Sequence, residues 1–183
     1  KTLDVAANGA SQGIHLNISG VGRLQMYADG NRNYFKGLSG NGHRFTTTGG
    51  ANVEILNNGN VGIGTTAPAA QLQVKQLGIN VNQSSVASTN QYTCDSMSAT
   101  IFRSARYTIQ ITNTTDSTYH LTEMLLIHDG TTPSINEFGT IFTGSAAEAA
   151  FTADINSGNV RILATPASSD AMAFKVVRHS ITV

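Results

Sequence analysis

Tryptophan is absent from this chain, cysteine occurs once, proline three times, and only 12% of its 183 residues are charged. Each shortage excludes something. A single cysteine, Cys94, leaves no intrachain disulfide framework and no zinc quartet, and reads as a buried thiol acting as a small hydrophobe. The charge content is about half the roughly 25% of an average soluble domain, so the surface must be built from Ser, Thr, Asn and Gln. Net charge is +0 and the isoelectric point about 7.1, with no basic footprint for nucleic acid or an anionic membrane. The longest aliphatic runs are as short as "MLLI", Met124 to Ile127, far below the roughly 18 apolar residues a spanning helix needs. Membrane insertion is not expected. His15, His43, His120, His128 and His179 include no i, i+2 or i, i+4 pair, so no local metal motif exists and neither a metal nor a cofactor is expected. The opening "KTLDVAANGA" has no Met and no basic-then-apolar leader, which reads as a processed chain or an excerpt.

What is abundant is glycine, and it is unevenly spread. Fourteen of the 18 glycines lie at or before Gly78, and Lys/Arg outnumber Asp/Glu six to three up to that point and fall behind five to eight after it. Three segments follow: 1–78, rich in Gly and Asn; 79–98, a connector around the polar "NQSSVASTNQ"; and 99–183, a second domain. In the first, Ile14-Leu16-Ile18, Leu24-Met26, Tyr34, Phe45, Val53-Ile55, Val61-Ile63 and Leu72-Val74 alternate with period two. Their turn signals, "DGNRN", "SGNGH", "TTGGAN" and "NNGN", recur at strand-by-strand spacing, which predicts an all-β architecture.

Each such strand carries only two or three apolar side chains on one face, with no helix to cover them. A single copy cannot offset ordering costs of roughly 1–2 kcal/mol per residue. The missing apolar surface must come from another chain, and three identical stripes around an axis are the simplest source. The expectation is an elongated homotrimeric shaft.

"NGNVGIGTTAPAAQLQV", residues 58–74, contains Gly62-x-Gly64-x-x-Ala67, the letters of a dinucleotide fingerprint. That fingerprint needs a strand directly before it, a long helix after it and an acid about 20 residues on. Here the turn "NNGN" intervenes, Pro68 permits one helical turn at most, and Asn82, Ser84 and Ser85 stand where the acid should be. The glycines read instead as packing elements. Gly62 and Gly64 permit close approach or positive φ, Pro68 fixes a turn, and Val61, Ile63, Leu72 and Val74 face the trimer core.

Through Gly59, Asn60, Val61, Gly62, Ile63, Gly64, Thr65, Pro68, Leu72 and Val74, this stretch resembles the "GNVGIGT-x-x-P-x-x-x-L-x-V" segment of tail-fibre, tailspike and appendage proteins of tailed bacteriophages. The resemblance implies a homotrimeric β-rich fibre with this segment near a shaft-to-head junction, carried on the virion with other virion proteins as partners. In many such proteins a self-cleaving chaperone domain with a serine nucleophile follows. This chain departs from that pattern, because strands follow Gly78, and autoproteolysis is not expected.

Residues 99–183 offer six alternating strands, at 99–112, 118–128, 136–143, 150–155, 159–165 and 172–182, which predicts an antiparallel, jelly-roll-like β-sandwich head. "RSARYTIQIT", "LTEMLLIHDGTTPSINEFGTIFT" and "SGNVRILATP" are similar to C-terminal heads of fibre and baseplate proteins in myovirus-like phages of marine bacteria. His128-Asp129-Gly130 reads as a hairpin turn rather than half of a catalytic pair. The triplets beginning at Asn17, Asn82 and Asn113 are chance glycosylation matches in an Asn- and Thr-rich chain. If the strands run along the fibre, loops 113–117, 144–149 and 166–171 share its far end. Asp116, Tyr119, Glu148 and Asp170 are then the candidate residues for contact with a host-surface glycan or protein, since contacts concentrate on loops held by a rigid scaffold. The chain is read as a non-enzymatic, receptor-binding virion fibre. The alternatives are a purely structural connector or capsid-surface fibre, and a polysaccharide-degrading tailspike, which would need two suitably spaced carboxylates.

Overall fold

The computed structural model describes residues 42–46 and 52–183 in full and, within residues 4–37, the backbone of four strands. The chain divides into two compact units, Lys1–Thr66 and Ala67–Val183. Among the described residues all regular structure is β and no helix occurs. The chain is all-β.

In the first unit, β1 (Asp4–Asn8), β2 (Ser11–Ile18), β3 (Val21–Asp29) and β4 (Arg32–Gly37) form an antiparallel meander. The turn signals "DGNRN", "SGNGH" and "TTGGAN" fall wholly or partly outside the described residues. Strands β5 (His43–Thr46), β6 (Asn52–Ile55) and β7 (Val61–Ile63) pair antiparallel in sequence order. "NNGN" closes the last hairpin, with Leu56 N donating to Asn60 O at 2.8 Å. Gly59 takes φ +87° there, a conformation that suits glycine. Phe45, Val53 and Ile63 stand opposite one another across the three strands, and all three are exposed. On the opposite side Glu54 is buried and accepts a hydrogen bond from Arg44 Nε at 2.5 Å.

The second unit is a two-layer sandwich. One layer has the order β13-β12-β11-β16-β9-β8. It is built from β8 (Leu72–Val74), β9 (Leu77–Val86), β11 (Phe102–Asn113), β12 (Thr118–His128), β13 (Pro133–Phe142) and β16 (Met172–Thr182). The other layer is β10 (Tyr92–Ser98), β15 (Asn159–Pro166) and β14 (Ala149–Asn156), in that order. Period two sets the inner face: Tyr107, Ile109 and Ile111 of β11, Met124 and Leu126 of β12, and Phe174 and Val176 of β16 are buried. They pack in one core with Cys94, Met97, Phe151, Val160, Ile162 and Ala164 of the smaller layer. Tyr92 meets Phe174 edge-on, with ring centroids 5.4 Å apart, the arrangement aromatic quadrupoles favour. Burial raises the Cys94 thiol to about 12, with the nearby Asp95 charge adding to the shift.

The expected connector 79–98 is corrected by the structure, because it holds two strands. Along its length β9 pairs with β16, from Leu77 opposite Ile181 to Val86 opposite Met172, and β10 runs in the other layer against β15. A strand needs its backbone paired, not an apolar sequence, so the polar "NQSSV" of β9 pairs with β16 alone, beyond the reach of the short β8, with its Gln and Asn side chains exposed. The division between units correspondingly falls earlier than the Gly78 read from composition, at residues 66 and 67. The six strands expected in 99–183 are present as β11 to β16, and β8, β9 and β10 from residues 67–98 bring the sandwich to nine, split six and three.

Gly78 is an interior residue of β9. A Cβ there would stand 2.8 Å from Ser180 Oγ and 3.0 Å from both Ala70 Cβ and Phe102 Cε1. Gly78→Ala is therefore expected to overpack the site and lower the stability of the second unit by roughly 1–3 kcal/mol, read as a drop in urea midpoint at unchanged m-value. A neutral or stabilising result would show that Phe102 and Ser180 move aside.

Candidate functional site

At one end of the sandwich the β9–β10, β11–β12, β13–β14 and β15–β16 connections come together. The register fixes this: Asn113 stands opposite both Thr118 and Met172, Met172 opposite Val86, and Ala149 opposite Pro166. Asn113, the last residue of β11, organises the cluster. It is 1% exposed. Its Nδ2 donates to Glu148 Oε2 at 3.2 Å and to Asp170 Oδ2 at 3.1 Å. Its Oδ1 accepts from the backbone N–H groups of Thr115 and Asp116 at 3.0 and 3.1 Å. One amide thus uses two donors and two acceptor positions, its whole hydrogen-bonding capacity, and ties two other loops to its own.

The remaining contacts lock the same end. Glu148 Oε1 accepts from Thr118 Oγ1 at 2.5 Å, and Asp170 Oδ2 accepts from Ser168 Oγ at 2.6 Å. Thr114 N donates to Ala171 O and Ala167 N to Glu148 O, each at 2.8 Å. The Ser168 hydroxyl and then the Asn113 amide hold the Asp170 carboxyl below its ordinary range, so it stays ionised at neutral pH. A shallow cleft of about 270 Å³ opens beside the cluster, lined in part by Val86, Thr114 and Met172.

Of the residues expected at this end, the structure brings Glu148 and Asp170 together through Asn113. Asp116 joins them through its backbone, with its side chain exposed. Glu148 is buried and both of its oxygens are occupied, so it supports the loops from inside. Tyr119 is half-exposed near the start of β12 and belongs to the outer face of the larger sheet, with Thr143 bridging its backbone at 2.9 Å. Asn113, Thr118, His120 and Ser168 were not anticipated. The run "NTTDS" after an alternating strand was the available signal, since Asn at a strand end commonly folds back on the N–H two residues on.

His120 lies under this end, 1% exposed. Its Nδ1 accepts from Glu148 N at 3.3 Å, which places the proton of the neutral ring on Nε2. The ring centroid is 6.2 Å from that of Phe142 and 6.5 Å from that of Phe151. Burial lowers its pKa, against the opposing pull of the Glu137 and Glu148 carboxylates. The unfolded chain therefore binds the proton first as pH falls. Stability from the neutral ring is present above about pH 6.5, the free imidazole value, and is lost as pH falls through the lower folded value. Urea midpoints measured from about pH 7.5 down to about pH 5, the range in which histidine titrates, should fall in the wild-type chain and fall less steeply in His120→Leu. Equal slopes would remove His120 from the acid response.

The segment read as the trimer core is distributed as follows. Gly62 is buried between Val61, half-buried, and Ile63, exposed, and Gly64 takes φ +73° with its N–H donating to Asn52 O at 3.0 Å. In the second unit Pro68 is buried, while Leu72 is half-buried and Val74 exposed on either side of a buried Gln73. Gln73 is satisfied locally, accepting from Ala69 N and donating to Lys75 O at 2.8 Å each. In a single copy, then, the apolar members of β7 and β8 lie on the more open side of their strands. Among the described residues no group of three His, Cys, Asp or Glu is placed to hold a metal ion, and no helix is long and apolar enough to cross a membrane.

No protein-family model and no curated protein matches the chain. Among solved structures it is similar to the tailspike protein of Acinetobacter baumannii phage AM24, at 7% identity and a TM-score of 0.37 over 58% of this chain and 26% of that one. It is also similar to the tailspike protein of Acinetobacter phage vB_ApiP_P1, at 21% identity and a TM-score of 0.34 over 58% of this chain and 22% of that one. The similarity thus spans about a quarter of the length of each tailspike chain.

Proposed function

We propose that this chain is a structural part of a tailed-phage appendage, a tail fibre or baseplate protein carried outside the cell on the virion, that it works as a homotrimer, and that the loop end of its second unit contacts a host-surface glycan or protein. The observation that carries this reading is the segment 59–74. Its phage-appendage signature folds as two short strands whose apolar residues stay partly open in a single copy, as expected of a shared core. The preorganised loop end supports the contact role. Asn113 fixes three loops before any ligand arrives, which reduces the ordering cost of binding, and the Asp116 side chain is left outward.

A purely structural connector is the second reading, favoured by the internal use of both Glu148 oxygens. Glycan cleavage is not proposed for the Glu148–Asp170 pair. Glycoside hydrolysis needs one carboxyl free to give a proton to the leaving oxygen, and both Glu148 oxygens are engaged by Asn113 and Thr118.

The reading is tested by binding of the labelled chain to whole bacteria and to immobilised bacterial polysaccharides, alongside Asp116→Ala and Tyr119→Ala. Saturable binding that weakens at least tenfold in one variant supports host contact through this end. Binding unchanged in both variants places the contact elsewhere, and turnover of the polysaccharide moves the reading to a degrading spike.

A further inference from the structure

The connection between β13 and β14 is pinned at its two ends by backbone bonds. Thr143 N donates to Tyr119 O and Tyr119 N to Thr143 Oγ1, each at 2.9 Å, and Ala149 pairs with Pro166. Between these points Gly144, Ser145, Ala146 and Ala147 are small, and none is buried, so apolar packing does little to hold the segment down. Glu148 holds it instead. Besides the two bonds its carboxylate accepts, its backbone N donates to His120 Nδ1 at 3.3 Å and its backbone O accepts from Ala167 N at 2.8 Å. Of these partners only His120 titrates near neutral pH. The ring is enclosed, with Nε2 buried and without a hydrogen-bond partner and with Phe142 and Phe151 beside it. The charged groups acting on it are Glu137 of β13 and Glu148, while β11 sets Ile111 opposite it and β14 presents Phe151. Glu137 Oε1 and both Glu148 oxygens already accept from other side chains.

We infer that His120 is a proton-operated latch on this loop: the neutral ring holds residues 144–148 closed, and protonation of the ring releases them together with the Asn113 cluster. The change is one of acceptor into donor. In the neutral ring Nδ1 offers its lone pair to Glu148 N–H. A second proton must sit on that nitrogen, and two N–H groups then point at each other across 3.3 Å. The added charge also lies away from water beside two aromatic rings, which is costly. Lifting 144–148 removes both costs, because water reaches the ring and the Glu148 carboxylate is freed from Asn113 and Thr118. Burial lowers the pKa of the ring while the loop is down, and the open loop restores it to about 6.5. Opening therefore becomes up to roughly tenfold more favourable for each pH unit below that value, until the closed-state value is reached. The latch does not depend on what this end binds. A host contact there, as proposed above, weakens in acid.

The test is hydrogen exchange of the full chain from about pH 7.5 to about pH 5, the range in which histidine titrates, with each rate divided by the intrinsic rate at that pH. Wild type is compared with His120→Gln, whose amide oxygen can accept from Glu148 N but takes up no proton. In wild type, protection at Glu148 and Ala167 should fall roughly tenfold across this range, while Ile109 and Ile162 keep theirs. In His120→Gln the loop protection should stay level. Level loop protection in wild type overturns the latch, and so does an equal fall in both chains, which would assign the opening to a carboxylate. An equal loss at Ile109 and Ile162 also overturns it, since the whole unit would then be unfolding. Should His120→Gln fail to fold, the pH at which His120 itself titrates, followed by ring-proton NMR in wild type, decides: loop opening that does not track it removes His120 as the latch.

Discussion

Arg178→Ala is expected to destabilise the second unit by roughly 3–5 kcal/mol, the cost of leaving one member of a buried ion pair without its partner. Arg178 of β16 is 4% exposed and Asp95 of β10 is 6% exposed. Its Nη1 donates both to the Asp95 carboxylate and, at 2.7 Å, to Ser96 O, so the pair ties one layer of the sandwich to the other. Nε finds no hydrogen-bond partner, and the Tyr107 hydroxyl lies beside the pair. Burial raises the Asp95 pKa more than Arg178 lowers it, which marks the desolvation cost as the larger effect. Loss of Arg178 then leaves an anion in an apolar core. A raised folded value means that stability is fully present below the unfolded Asp value of roughly 3.9 and is lost as pH rises through the folded one. The deficit of Arg178→Ala should accordingly be larger at neutral pH than in acid. The double variant Asp95→Leu/Arg178→Met should recover most of it, because apolar replacement removes the desolvation cost together with the attraction. Urea midpoints of the three chains measure this. A loss under about 1 kcal/mol for the single variant, the size of an exposed pair, would mean that water reaches Asp95.

Asn113→Ala should cost on the order of 3 kcal/mol, because it removes the donor shared by Glu148 and Asp170 and strands the N–H groups of Thr115 and Asp116. Two carboxylates would then face each other with no amide between them, and three loops would lose their common tie. Asn113→Asp should behave as badly or worse, since a third carboxylate replaces the donor. Hydrogen exchange separates this from a loss of core packing: protection should fall at Asp116, Ala167 and Ala171 before it falls at Ile109 or Ile162. Any host contact at this end should weaken in the same variant. Unchanged protection in the loops would show that the backbone bonds from Thr114 to Ala171 and from Ala167 to Glu148 hold the end without Asn113.

Much of the second unit was legible in its alternation. The inward positions Tyr107, Ile109 and Ile111 and the turn at His128-Asp129-Gly130 follow from period two and an Asp-Gly pair. In that turn Asp129 accepts from the N–H groups of Thr131 and Thr132 at 2.7 Å each, which hold its carboxyl down to about 2. β9 escaped because its residues are polar, and polarity was read as a linker. Its place in the sheet depends on β16, whose sequence lies about a hundred residues away. Arg178 sits at an inward position of an alternating strand, a visible sign of a buried cation, but Asp95 as its partner, 83 residues distant, was not.

By itself, the sequence determined the β character of the chain, the turns at "NNGN" and His128-Asp129-Gly130, and the lack of long apolar or basic stretches. These are local properties, set by side-chain volume, backbone freedom and charge within a few residues. The tertiary structure alone decided which polar groups share a site. Asn113, Glu148 and Asp170 meet because three connections end at one end of the sandwich, and Leu125, Ile127 and Ile181 are exposed because the inner face packs on the smaller sheet instead. Such outcomes depend on strand order and register, which residues far apart in the chain fix jointly.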